Sequence, residues 1–260
     1  MIELNKIHQG NSFEMLKQFA DNSVDLVITD PPYGMSFQSN YRKVKHEKIK
    51  NDSELPLDAI KDCIRIAKKA CYVFCRWDNL KDMPPPKSVL VWVKNNWSMG
   101  DLKHSHGRQW EAICFYPKEQ HEFIKRIPDV IHCNRTGNNL HPTEKPVELI
   151  RTLIEANKGE TILDPFMGSG TTAIACKRAN RNYIGIELES KYVEIANTRL
   201  SQYTLTADNF DALQQTQKDI EETICPHGKQ EDELCEMCDF DDDSPIPPNA
   251  KASGILGGDL

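Results

Sequence analysis

The feature that most limits the fold is a strand that is stopped on purpose. In "SVDLVITDPPYGMSF" (Ser23 to Phe37) a β-branched apolar run ends in Asp30, Pro31, Pro32 and Tyr33. Each proline removes a backbone donor and forces the residue before it into an extended conformation. The strand cannot continue, and the turn after it is stiff. A carboxylate and an aromatic ring are thereby held at fixed positions at a strand end.

The rest of the chain supplies the sheet to which that strand belongs. "IELNKIHQGN" reads as a short strand. "SFEMLKQFADNS" reads as a helix with Phe13, Leu16, Phe19 and Ala20 on one face and Ser12 as its N-cap. "PLDAIKDCIRIAKKA" is an amphipathic helix with Leu57, Ile60, Ile64 and Ala67 at helical spacing, and "CYVFCRW" is a strand. "SVLVWVKN" and "EAICFYP" form a strand pair, while Lys94–Arg108 and Lys125–Pro142 look irregular. "PVELIRTLIEAN" is a helix, "ETILDPF" a strand, "GTTAIACKRAN" a helix, "NYIGIELE" a strand and "SKYVEIANTRL" a helix. Strands that alternate with helices predict an α/β fold with a mainly parallel sheet covered on both faces. Ligands of such sheets bind beyond the carboxyl ends of the strands.

A second turn ends another strand there. "ETILDPFMGSGTTAIA" places Asp164, Pro165, Phe166, Met167, Gly168, Ser169 and Gly170 between a strand and a helix. Glycines let the backbone approach a ligand, and the helix start offers free N–H groups. No lysine follows Gly170, so the turn is not a P-loop. The next strand ends in Glu187, at the offset where an acid can accept from ribose hydroxyls. A nucleoside-containing cofactor is the reading that this pattern favours.

Asp-Pro-Pro-Tyr at one strand end and "DPFMGSGTT" at another together resemble the signatures of amino-methylating DNA methyltransferases. Here Asp-Pro-Pro-Tyr comes first, "HPTEKPVELIRTLI" stands just before "LDPFMGSGTT", and "IGIELESKYVEIANTRL" just after it. That order resembles the β-class, circularly permuted, adenine-specific enzymes, over roughly residues 1–202. The resemblance implies a seven-stranded Rossmann-like sheet, S-adenosylmethionine as cofactor, double-stranded DNA as partner, and in some cases a restriction endonuclease partner. It implies that Asp30, Pro31, Pro32 and Tyr33 are catalytic. It gives the cofactor Phe166, Gly168 and Gly170 as loop, Asp164 at the strand end, Glu187 for the ribose, and Lys145 near the methionine end. Gly10-Asn11 stands where many relatives have Gly-Asp, so Asn11 would meet the cofactor's adenine without a charge.

The chemistry fits the residues. The lone pair of an exocyclic amine is delocalised into the base ring, which makes it a poor nucleophile. Two acceptors on the amine hydrogens, the Asp30 carboxylate and the Pro31 carbonyl, would turn that lone pair toward an incoming methyl group. Tyr33 can stack on a base taken out of the helix. Asp before Pro-Pro-Tyr leans toward adenine N6. The alternatives are cytosine N4, an RNA substrate, or a non-catalytic nucleic-acid-binding protein on a methylase scaffold. Recognition is expected from residues 37–52 and 95–139, where Trp97, His104, His106, Arg108, Arg126 and Arg135 can meet bases or phosphates. "YRKVKHEKIK" (Tyr41 to Lys50) adds a basic run just after the Asp30 turn.

Charge divides the chain. Residues 219–260 hold twelve acids and two lysines, a net of −10, which leaves +3 on residues 1–218, the expected methyltransferase domain. Cys225, His227, Cys235 and Cys238 have the spacing of a small zinc knuckle over 219–238, and 239–260 reads as an acidic disordered tail. Cys63, Cys71, Cys75, Cys114, Cys133 and Cys176 lie among apolar residues and read as core positions. No apolar run is long enough to cross a bilayer, and "MIELNKIHQGN" lacks the pattern of a signal peptide, so a cytoplasmic location is expected. An acidic tail tethered to a basic body competes with DNA phosphates. Truncation after Cys238 is therefore expected to tighten DNA binding at low salt, with a gain that fades as salt rises. Affinities of the full-length and shortened chains across a salt series measure it, and equal values at low salt would reject the competition.

Overall fold

The computed structural model describes residues 2–34, 54–98, 103–104, 106–136 and 144–204. Eight strands among them form one sheet: β1 (Lys6–Gln9), β2 (Val24–Thr29), β3 (Ala67–Cys75), β4 (Ser88–Ser98), β5 (Arg108–Pro117), β6 (Val130–His132), β7 (Thr161–Asp164) and β8 (Asn182–Glu187). Their spatial order is β1-β8-β7-β2-β3-β5-β4-β6. The first five in that order are mutually parallel. The strand β5 is antiparallel to both β3 and β4, and β6 runs parallel to β4. The seven strands expected from the resemblance become eight because three residues in the stretch read as irregular, Val130–His132, pair with Val91–Val93.

Helices α1 (Ser12–Met15), α2 (Leu57–Ile66), α3 (Val147–Ala156), α4 (Thr171–Arg178) and α5 (190–204) cover the two faces. Strand alternation decides which side chain meets which helix. Leu26, Ile28, Tyr72, Phe74, Ile113 and Phe115 join α3 and α4 in one core, through Leu149, Leu153, Ala173 and Cys176. Val27, Cys71, Val73, Cys75 and Cys114 pack on the other side with Leu16, Ile60, Cys63 and Ile66. Of the six cysteines read as core positions, all but the half-buried Cys133 are fully buried, and all six are free thiols. The Met1–Tyr203 segment forms one compact unit.

Three local readings are corrected. Asn11, not Ser12, caps α1: its Oδ1 accepts from Phe13 N at 3.0 Å, while the Ser12 hydroxyl is buried and donates to the Pro165 carbonyl. The cap therefore sits one residue earlier, and α1 soon gives way to a 3-10 turn, Leu16–Gln18. Ala67 ends the second helix rather than extending it. Its backbone is extended, and it pairs with Val24 as the first residue of β3. Lys94–Ser98, expected to be irregular, continues β4 because Ser98 finds a partner in Arg108 across the hairpin.

Candidate active site

The strand β2 ends at Thr29 and the neighbouring β7 at Asp164, with Leu26 opposite Ile162 and Val27 opposite Leu163. The two turns picked out in the sequence are thus side by side at the carboxyl edge. Asp164 joins them. Its Oδ1 accepts from Thr29 Oγ1 at 3.1 Å and from Phe166 N at 3.1 Å, and its Oδ2 accepts from Thr172 Oγ1 at 2.6 Å. Asp164 is buried and spends its lone pairs on β2, on its own loop and on α4. Its place is behind the glycine loop, as a fastening for it.

The loop bends where glycine permits. Gly168 and Gly170 have φ of +53° and +88°, and a Cβ on Gly170 would lie 2.8 Å from that of Ala196 on α5. Glu187, at the end of β8, accepts from Gly168 N at 2.8 Å and from Glu189 N at 2.9 Å through separate oxygens. A carboxylate has acceptor capacity beyond these bonds, which suits it to accept from ribose hydroxyls. The ring of Phe166 meets Phe13 edge-on at 6.1 Å. Asn11 lies at the end of β1, two residues beyond Gln9, with its oxygen occupied by the α1 cap. Arg199, which the sequence reading missed, donates to the Ser169 carbonyl at 2.7 Å and pairs with Glu144 at 3.0 Å. It links the glycine loop to the residue before Lys145.

On the other turn, the Asp30 carboxylate is enclosed. The Tyr33 hydroxyl donates to Oδ1, and Lys145 Nζ lies 2.5 Å from Oδ2. Asn79 Nδ2 donates to the Tyr33 carbonyl at 3.0 Å. Gly34 then turns the chain away at φ +75°, where a Cβ would lie 2.9 Å from Leu55 N. Lys145, only 7% exposed, also reaches Glu111 at 3.2 Å and lies over the rings of Phe74 and Tyr33 at 5.3 and 5.7 Å. Glu111 in turn binds Lys94. Four buried or half-buried charges therefore alternate in sign: Asp30, Lys145, Glu111, Lys94.

Burial pushes the Asp30 carboxyl above the usual carboxylate range, against the pull of Lys145. Burial alone would depress the Lys145 ammonium, but Asp30 and Glu111 outweigh it and hold it above the ordinary lysine value. Burial also acts on Glu111, yet Lys145 and Lys94 bring its carboxyl down to about 2. Tyr33 is raised well above its ordinary value by burial and by Asp30, and so remains a donor.

Glu111 and Lys94 were the residues most worth finding in advance. Alternation along β5 puts Glu111 on the apolar face with Ile113 and Phe115, and along β4 it puts Lys94 with Leu90 and Trp92. A charge at a core-facing position is the signal that was there to be read.

The recognition candidates divide. Trp97 is 65% exposed near the end of β4, close against Gly107, and Arg108 is exposed at the start of β5. His104 and His106 are exposed between these strands, and Arg135 follows β6, its N–H donating to Asn95 Oδ1 at 3.1 Å. All these belong to the carboxyl edge. Arg126 does not. It precedes β6, close to where Ile124 N bonds the Ala156 carbonyl at the end of α3, on the opposite edge. The basic run Tyr41–Lys50 and the ligand set Cys225, His227, Cys235 and Cys238 lie outside the described residues. Among the described residues no cluster of His, Cys, Asp or Glu could hold a metal ion, and no helix is long and apolar enough to cross a membrane.

A mainly parallel α/β sheet with a glycine turn, an acid at the end of the next strand and an enclosed Asp-Pro-Pro-Tyr turn beside them places the fold in the Rossmann-like class. Comparison makes the class specific. The family described as DNA methylase, of the N6 and N4 types, matches residues 94–198. The type II methyltransferase M2.MboI of Moraxella bovis is 30% identical over 246 residues, covering 78% of this chain and 90% of that protein. The DNA adenine methyltransferase YhdJ of Escherichia coli is 25% identical over 248 residues, covering 76% and 83%. A crystal structure of M1.HpyAVI in complex with SAM superposes with a TM-score of 0.57 at 26% identity, over 75% of this chain and 98% of that one. The chain belongs to the N6/N4 DNA methylase family.

Asp164 gives the fold a pH signature. Burial raises its carboxyl to about 6, so between about pH 4 and 6 the folded chain holds a proton that the unfolded chain has lost. Stability therefore falls as pH rises through that window, by about 3 kcal/mol at most. Urea unfolding across pH 4–7 should show this decline in the native chain. It should be shallower in Asp164→Asn, whatever the variant's absolute stability, the remainder belonging to other raised carboxyls such as Asp30.

Proposed function

We propose that the protein transfers a methyl group from S-adenosylmethionine to N6 of an adenine flipped out of double-stranded DNA. The observation that carries this reading is the placement of two turns on neighbouring strands: the Asp30–Tyr33 turn follows β2 and the glycine loop follows β7, with Asp164 bonded to Thr29 just before the first turn and to Phe166 in the second. Base and cofactor would then share one crevice. Glu187 would hold the ribose, Gly168 and Gly170 would let the loop close on the cofactor, and Phe166 and Asn11 would border the cofactor's own adenine. The cofactor supplies an electrophilic methyl group on sulfur.

This chain's own residues do the rest. Asp30 and the Pro31 carbonyl accept hydrogen bonds from the two amine hydrogens and turn the nitrogen lone pair toward the methyl group, and the one surplus proton of the methylated amine passes to Asp30 or to water. In the free protein the Tyr33 hydroxyl occupies Asp30 Oδ1. An arriving amine replaces that hydroxyl, which frees the ring to stack on the base. Pro31 and Pro32 keep the acceptors from following the base as it moves. Lys145 stands with Asp30 and Glu111, so its charge serves the base side of the crevice as well as any cofactor carboxylate. Trp97, Arg108 and Arg135, at the same edge, would meet the duplex. The Asp in Asp-Pro-Pro-Tyr and the likeness to a DNA adenine methyltransferase support adenine over cytosine. A restriction endonuclease partner would fit the likeness to a type II methyltransferase.

Two substitutions separate base from cofactor. Asp30→Ala should abolish methyl transfer and leave cofactor affinity within about tenfold, roughly 1.4 kcal/mol. Mass spectrometry of digested DNA gives both rate and product: N4-methylcytosine would replace the adenine reading, and near-normal turnover in the variant would refute the role of Asp30. Glu187→Ala should weaken S-adenosylmethionine by roughly 1.5–3 kcal/mol, the loss of charged acceptors for two hydroxyls. Calorimetry measures it, and an unchanged dissociation constant would leave Glu187 a loop anchor only.

A further inference from the structure

The alternating charges behind Asp30 raise a question that the turn alone does not answer. A buried carboxylate paired one-to-one with an ammonium is a spent acceptor, because its charge is already answered. Asp30 must nevertheless accept from a neutral amine. The geometry shows how the pairing is diluted. Lys145 Nζ lies 2.5 Å from Asp30 Oδ2 and 3.2 Å from Glu111 Oε2, so one ammonium serves two carboxylates. Glu111 is itself held from behind by Lys94, which stands 5.0 Å over the ring of Trp92. Strand pairing fixes the spacing. Glu111 lies directly opposite Trp92 on β4, and the adjacent Ala112 lies opposite Cys75 at the end of β3.

We propose that Glu111 is a positioning residue for methyl transfer: by drawing the Lys145 ammonium partly away from Asp30, it leaves Asp30 a stronger acceptor for the target amine. Lys94 sets how strongly Glu111 pulls. The inference rests on the reading of Asp30 as the amine acceptor. It gives Lys145 a task distinct from holding the cofactor, and it brings the β4–β5 hairpin into the reaction. The charged and titratable groups that act on Asp30 are Tyr33 from its own turn, Lys145 from the start of α3, Glu111 from β5, Cys75 from β3 and Asp164 from β7. Of these, Glu111 raises the proton affinity of Asp30 and Lys145 lowers it.

The arrangement predicts two variants of opposite sign. Glu111→Gln removes the competitor and leaves Lys145 to Asp30 alone. The acid limb of the methylation rate should then move to lower pH, and the plateau rate should fall on the order of tenfold, the equivalent of one unit of acceptor strength. Lys94→Met removes a cation from the far end, and the acid limb should move to higher pH. Glu111→Asp keeps the charge and should restore the native limb. The measurement is the single-turnover rate on unmethylated bacterial DNA, with enzyme in excess, from pH 5 to 9. Cofactor affinity by calorimetry and urea unfolding are followed in parallel. A purely structural Glu111 would lower stability or rate and leave the acid limb of each variant where the native enzyme has it. That outcome, or native rates in Glu111→Gln, overturns the proposal. If Glu111→Gln does not fold, the shift in Lys94→Met decides alone. A native protein that methylates no exocyclic amine overturns the reading of Asp30 and this inference together. Native methylation with unmoved limbs overturns this inference only.

Discussion

One buried carboxylate sets the relative position of both halves of the site. Asp164 accepts from Thr29, the residue before Asp30, from Phe166 in the glycine loop and from Thr172 on α4. Removed from water, it could keep its charge only with donors on every side. The donors it has come from the strand that ends in the Asp30 turn and from the glycine loop and the helix that follows it. A shift of either turn would strand a lone pair or a hydroxyl, so Asp164 ties the position of each turn to the other. In-line transfer depends on this, because the methyl group must pass between partners whose spacing the protein fixes in advance.

The turns were legible in the sequence because each is a sharp local event. Asp30-Pro31-Pro32-Tyr33 and Asp164 to Gly170 break apolar strands with residues whose backbone limits are severe. Strand and helix alternation gave the layering for the same reason. Less legible were boundaries where local preference and tertiary pairing disagree. The segment Ala67–Ala70 has helical periodicity, yet it pairs along β2 because β3 needs that length to span the core. The strand character of Lys94–Ser98 came from a partner ten residues further on, at Arg108. Charged residues inside strands were passed over because each looks ordinary alone. Glu111 and Lys94 become informative only when their faces are known and found to be the same, next to Lys145.

The site also shows why a single residue's label can mislead. Lys145 was expected at the cofactor's methionine end, and its neighbours are two acids, Asp30 and Glu111. Asp164 was expected against the cofactor, and its oxygens are taken up by the protein. Asn11 was expected to meet adenine, and its oxygen caps α1. In each case the motif marks the right region, and the hydrogen-bond inventory decides what is left for a ligand.

The distances in sequence across this crevice carry a consequence for how the chain is made. Asp30 meets Lys145 across 115 residues, and Thr29 meets Asp164 across 135. Contacts of such long range repay the entropy of loop closure only after most of the sheet is in place. A nascent or partly unfolded chain can hold the Asp30 turn, but it lacks the cation and the anchoring acid that give that turn its character. The crevice is therefore a property of the folded sheet as a whole, assembled from segments that lie far apart along the chain.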